Sequence, residues 1–216
     1  MGGSKYDCNY QMKKIIATAV IFFVAFMVLL ISIFDSSAIT YTISPGTPTI
    51  LDSGSERINY TLPYMGRVLP DSPIWGLKAL RDRVWFEITT SHLRKAELAL
   101  LFADKRLAMA EELFKRGEGD VAISTYSKAE KYLPIAVEQE KIARAQGMDT
   151  SAFLTRLATA ALKHKEISDN LIQLAPENGK PLIDQMESYS KNTYYAAKDA
   201  LSSKALPVPK NPFGWE

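Results

Sequence analysis

The chain has 216 residues, with 26 Lys and Arg against 24 Asp and Glu, one cysteine and two histidines. Lys5, Lys13, Lys14 and Asp7 precede residue 15, which leaves the rest of the chain balanced at 23 charges of each sign. That balance excludes a dedicated nucleic-acid binder, which carries a basic excess or stripe, and the lone Cys8 excludes intrachain disulfides, so stability must come from an apolar core.

The first element in chain order is a run of twenty uncharged residues, Ile15 to Phe34. At about 1.5 Å per residue it spans roughly 30 Å, the thickness of a bilayer's hydrocarbon core, and it is predicted to be a single transmembrane helix in the lipid bilayer. Its polar residues, Thr18 and Ser32, can return their hydroxyls to the helix's own carbonyls. Lys13 and Lys14 at its start, against Asp35 and neutral residues after its end, place residues 1–14 in the cytoplasm and the rest of the chain outside the cell membrane. The competing reading is a signal peptide cleaved after Ala38, although its apolar core would be longer than the usual one of about 7–15 residues. Cys8 precedes the run, so it is not a lipoprotein's acylated cysteine.

Residues 35–68 are rich in Ser, Thr, Pro and Gly, with Pro45, Gly46, Pro48, Gly54, Pro63 and Gly66 interrupting any helical pattern. They read as a stalk holding the following domain off the membrane. Asn59-Tyr60-Thr61 matches the glycosylation sequon, a match short enough to arise by chance.

Residues 69–204 read as a helical bundle. Asp71 or Ser72 can cap a helix starting near Pro73, whose missing amide costs nothing in a first turn. That helix carries Ile74, Leu77, Leu80, Val84 and Ile88 on one side, with Trp75 and Trp85 as core anchors or, alternatively, as a membrane or partner contact. The next helix, Ser91 to Arg116, has Leu93, Ala96, Leu100, Ala103, Leu107, Ala110 and Phe114 at alternating spacings of three and four, a seam that lets a neighbour approach closely. Gly117 and Gly119 permit a turn into a third helix, Asp120 to Ala145, with Ala122, Tyr126, Ala129, Leu133 and Ala136 on its face and Pro134 expected to kink or divide it. Asp149 or Thr150 can cap a fourth helix showing Leu154, Leu157, Ala161, Leu171 and Leu174. A last one runs from Lys180 to Ser202 through Leu182, Met186, Tyr189, Tyr194, Ala197 and Leu201. The tail 205–216 holds too many prolines for a helix and is either a packed strap or disordered. The predicted class is all-α: a transmembrane helix, an extended stalk and an antiparallel bundle of four to five helices.

The phrase Leu69-Pro-Asp-Ser-Pro-Ile-Trp-Gly-Leu-Lys78, followed by Lys95-Ala-Glu-Leu and Arg106-Leu-Ala-Met-Ala-Glu, resembles a bacterial family of uncharacterised extracytoplasmic helical domains. That family opens with Leu-Pro-x-x-Pro-x-x-x-Leu-Lys, and the resemblance covers about residues 68 to 165. It implies a helical fold outside a membrane, a single span in many members, and an anti-sigma-factor-like context in some. The fourteen residues before this span are too few to fold a cytoplasmic sigma-binding domain. Ala110, Gly117, Ala122, Ile123, Tyr126, Ala129 and Pro134 also match one tetratricopeptide unit. A shift of 34 residues destroys that match, and one unit cannot stack into a solenoid.

No set of residues spells an active site. Neither His92 nor His164 has the Glu three positions before it that a metal bundle needs, and phosphate loops, nucleophile elbows and Cys-x-x-Cys pairs are absent. His164 falls on the core side of its helix, as a satisfied structural histidine or a pH-sensitive contact; His92 reads as solvated or capping. The pairs Glu111 with Glu112 and Glu138 with Glu140 read as solvated faces. The expectation is therefore a non-enzyme without cofactors: a membrane-anchored interaction or sensing module of the cell envelope, binding an unknown envelope protein or itself and no nucleic acid. Trp75, Tyr189, Tyr194, Tyr195 and Trp215 are the candidate partner surface. The alternatives are an envelope enzyme or metal-binding bundle whose carboxylates converge only in three dimensions, and a structural spacer or self-associating protein.

Overall fold

The structure is a computed structural model that describes residues 14–26 and 57–215, which fall in separate compact units. Among the described residues there are six helices and no strand. Residues 14–26, here α1, are helical and exposed throughout, and the Thr18 hydroxyl donates to the Lys14 carbonyl at 2.8 Å. Residues 27–34 of the predicted span, Phe34 included, lie outside the described residues, as do 1–13, 35–56 and Glu216. No described helix is long and apolar enough to cross a membrane.

The second unit holds α2 (Trp75–Ile88), α3 (His92–Lys115), α4 (Gly119–Ala145), α5 (Ser151–Leu174) and α6 (Lys180–Ser203). α3 pairs with α4 and α5 with α6 as antiparallel hairpins, and the hairpins face each other through α3 against α5 and α4 against α6. The ring order α3, α4, α6, α5 is that of a closed four-helix bundle. This closure separates the fold from a tetratricopeptide array: the second hairpin completes the core of the first instead of extending it sideways.

The α3 seam is buried as its spacing demands, and Ala96, Ala103 and Ala110 meet an equally bare α4 face at Ala122, Ala129 and Ala136. Alanines on both sides bring the axes close, and Leu100, Leu107, Leu133 and Tyr126 pack fully buried between them. Ser91 caps α3 by accepting from the Arg94 amide. Gly117 and Gly147, at φ near +81°, end α3 and α4, each placing the next residue's amide on a carbonyl five positions back: Glu118 on Leu113 and Met148 on Ala143. An L side chain is strained at that φ, which is why glycine holds both turns.

Three expectations change, and between the two readings of the tail the described residues choose one. Asp71 and Ser72 do not cap α2; backbone turns lead through residues 70–74, Ile74 stands at the start with no side-chain cap, and Asp71 faces Arg116 at 3.9 Å. Pro134 does not divide α4, which runs unbroken although proline offers the Glu130 carbonyl no amide. The described end of the stalk does not stand away from the bundle: Ile58, Tyr60 and Leu62 pack on it and Leu69 is buried. The tail is a packed strap, with Leu206, Val208, Phe213 and Trp215 against the core.

Candidate functional site

The core consists of two apolar clusters separated by a polar level. On one side lie Ala96 to Ala103, Leu133, Ala136, Phe153 to Leu162 and Tyr194 to Leu201. On the other lie Leu107 to Phe114, Ala122 to Ala129, Ile167 to Ala175, Ile183 and Met186. Between them every bundle helix places polar residues inside: Asp104 from α3, Glu130 from α4, His164 and Ser168 from α5, Ser190 and Thr193 from α6.

His164 is the hub. Its Nδ1 lies 2.7 Å from Glu130 Oε1 and its Nε2 3.1 Å from Asp104 Oδ1, all three side chains being fully buried. Burial opposes the imidazolium, but the carboxylates of Glu130 and Asp104 outweigh it and push the ring up to about 9. At neutral pH the ring is therefore charged and both N–H groups donate. The Tyr60 hydroxyl donates to Asp104 Oδ2 at 2.5 Å from residues 57–69, which close the level on the side of α3 and α5. Ser168 Oγ donates to the His164 carbonyl at 2.8 Å, so at 2.6 Å from it the Tyr126 hydroxyl must be the donor. Burial holds that phenol far above its ordinary range. Glu130 Oε2 is buried with no partner among the described residues.

The level is closed to solvent. No solvent reaches the imidazole, and among the described residues no group of three or more His, Cys, Asp and Glu side chains is arranged to hold a metal ion. An open cleft of about 560 Å³ lies beside residues 57–62 and α5, but two of its charged residues, Lys163 and Glu166, are paired at 2.7 Å.

His164 thus lies in the core on satisfied partners, as its helical position predicts, and His92 Nδ1 sits 2.9 Å from Gln139 Oε1. Glu140 is not on a solvated face: it is buried, paired with Arg144 at 3.0 Å and accepting from the Thr150 hydroxyl at 2.6 Å. Asp104 and Glu130 were invisible as site residues in the sequence. Each follows a seam alanine, Ala103 or Ala129, and reads as the flanking charge of an apolar stripe.

The five aromatic residues proposed for a partner surface fall into three places. Tyr194, Tyr195 and Trp215 form one cluster, with ring centroids 5.7 Å apart for the tyrosines and 5.9 Å for Tyr194 with Trp215. There the Tyr194 hydroxyl donates to the Pro209 carbonyl and that of Tyr195 to Trp215, which fastens the tail. Tyr189 packs on the other core cluster, and Trp75 is half-buried on α2, 5.1 Å from Lys78 Nζ.

α2 departs furthest from its pattern. Its inward side is Asp82 and Trp85, with Trp85 edge-on to Phe102 at 6.1 Å. Asp82 is paired with Arg81 at 2.7 Å. The aliphatic stripe points the other way: Ile74 is 55% exposed, Leu77 71%, Leu80 58% and Ile88 51%. At its start Lys78 Nζ donates to the carbonyls of Met65 and Val68 at 2.8 and 2.9 Å, and burial lowers the amine to about 8. The Leu-Pro-x-x-Pro-x-x-x-Leu-Lys phrase thus builds a pinned turn and a helix with an apolar outer face.

Residues 67–178 match the family described as Domain of unknown function (DUF5667). No curated protein and no solved structure matches the chain.

Proposed function

The chain belongs to the family described as Domain of unknown function (DUF5667), and from that premise we propose that it is a membrane-anchored extracytoplasmic module that works by binding a protein partner in the cell envelope. The observation that carries this reading is the outer face of α2. Four aliphatic side chains, each more than half exposed, line one side of α2 from its N-cap Ile74 to Ile88, with half-buried Val84 between Leu80 and Ile88, while Asp82 and Trp85 pack inward. Covering them is worth roughly 1 kcal/mol apiece, about half of what full burial gives, and an i, i+3, i+4 stripe is the form in which a helix docks into an apolar groove. Scattered exposed leucines need no explanation; a continuous row does.

Anchoring is supported by the run Ile15 to Phe34 and by Lys13 and Lys14 before it, which orient the helical domain outward. A tether to the membrane raises the local concentration of the α2 face toward any partner in the same envelope, so a stripe smaller than the ~800 Å² per side of a free-standing interface suffices. The non-enzymatic part of the reading is supported by the burial of the His164 level while residues 57–69 are in place.

Two measurements test the proposal. A photo-crosslinking residue at Leu77, installed in the full chain in intact cells, is expected to give one discrete protein adduct; adducts to lipid alone, to a second copy alone, or to nothing contradict a partner-binding module. A membrane-impermeant thiol reagent is expected to leave Cys8 untouched in intact cells and to label a cysteine placed at exposed Lys141. The reverse pattern contradicts the orientation.

A further inference from the structure

We propose that residues 57–69 form a releasable clasp, latched by Tyr60 onto the buried Asp104–His164–Glu130 level, so that this segment can leave the bundle while α3 to α6 stay folded. The segment has no helix or strand of its own and is held side chain by side chain. The Ile58 amide donates to Glu166 Oε2 at 2.7 Å, the Tyr60 hydroxyl to Asp104 Oδ2 at 2.5 Å, and Lys78 pins the carbonyls of Met65 and Val68. Ile58 and Tyr60 pack on one core cluster and Leu62 on the other, so the segment crosses the bundle at the height of the polar level.

The level is built to favour release. It confronts two carboxyl groups with one imidazole, and Glu130 Oε2 is already without a partner among the described residues. A buried acceptor in that condition gains by meeting water. The groups facing His164 are Asp104 from α3 and Glu130 from α4; α6 brings the uncharged Ser190 and Thr193 to this height, Ser168 and Tyr126 are neutral, and residues 57–69 bring Tyr60, through Asp104. With the ring charged, both carboxylates have an N–H. As the pH climbs through about 9 the ring keeps one N–H for two acceptors, and water entering at the Asp104 edge, where Tyr60 now stands, relieves the deficit.

The test is hydrogen exchange read by mass spectrometry on the full chain in detergent micelles, with labelling pulses scaled for the intrinsic rate at each pH. In Tyr60→Phe at pH 7, peptides covering 57–62 should exchange roughly 10- to 100-fold faster, the range for losing a hydrogen bond to a charged group, while peptides from α3 to α6 keep the native rate. In the native chain the same peptides should show that acceleration as the pulse moves from pH 7 to about 10, and in Tyr60→Phe this pH step should vanish. Unchanged exchange in Tyr60→Phe overturns the clasp. So does joint acceleration of residues 57–62 and the four helices in Tyr60→Phe at pH 7, which would make the segment part of one cooperative core, and so does a pH step that survives the substitution.

Discussion

At mid-height of the four-helix bundle Asp104, Glu130 and His164 are wholly buried, whereas on α2 the aliphatic residues Ile74, Leu77, Leu80 and Ile88 are more than half exposed. The difference lies in partners. Inside, each ionisable side chain is within hydrogen-bond distance of another, so the level persists despite the cost of removing charge from water. Outside, the aliphatic row is left largely to solvent. A buried ion network is sustained by the bundle that surrounds it; an exposed apolar row has no such support, and it is the face proposed for binding.

The strongest way to break this contrast is to remove the hub. His164→Ala leaves Asp104 and Glu130 facing each other without a cation, and unfolding by denaturant should show a loss of about 3–5 kcal/mol. The triple change Asp104→Leu, Glu130→Leu and His164→Leu should instead be near neutral or stabilising. If His164→Ala proved as mild as the triple change, the level would not be the coupled network described.

The next effect is a pH profile. The folded ring is raised from 6.5 to about 9, so its contribution is complete below about pH 6.5 and is lost as the pH rises through about 9. Unfolding free energies measured from pH 6 to 10 should fall by up to about 3 kcal/mol from this group, and His164→Gln should flatten the decline. Smaller still, Tyr126→Phe should cost about 1 kcal/mol, because Ser168 keeps its own acceptor and only one donated bond disappears. At the bottom of the series, Leu77→Ser with Leu80→Ser should move stability by less than about 0.5 kcal/mol each. A loss of several kcal/mol would mean that the stripe is core after all.

The elements most legible in the sequence are the helices with long, strict repeats. The α3 seam from Leu93 to Phe114 and the α4 face from Ala122 to Ala136 recur often enough to fix period, length and inward side, and the bounds agree to within a residue or two. α2 has apolar residues on two sides. Trp85, read as a core anchor, is buried, and its side, with Phe86 and a buried Asp82, is the one that packs, while the Leu and Ile row on the other side stays exposed. Periodicity measures how apolar residues are spaced and cannot say which of two apolar sides meets a neighbour. Of the polar level only His164 was visible, from its place one heptad after Leu157. Asp104 and Glu130 come from helices 60 and 34 residues away, and their pairing with it depends on how the hairpins close.

The most direct test of an interaction face on α2 uses a photo-crosslinking residue at Leu80 in two full chains, one otherwise native and one carrying Leu77→Glu, with thermal unfolding recorded for both. The predicted result is one unfolding midpoint for the two chains and a protein adduct only in the first. An adduct that persists with Leu77→Glu, or one lost together with a lowered midpoint, would contradict a face kept for binding and not for folding.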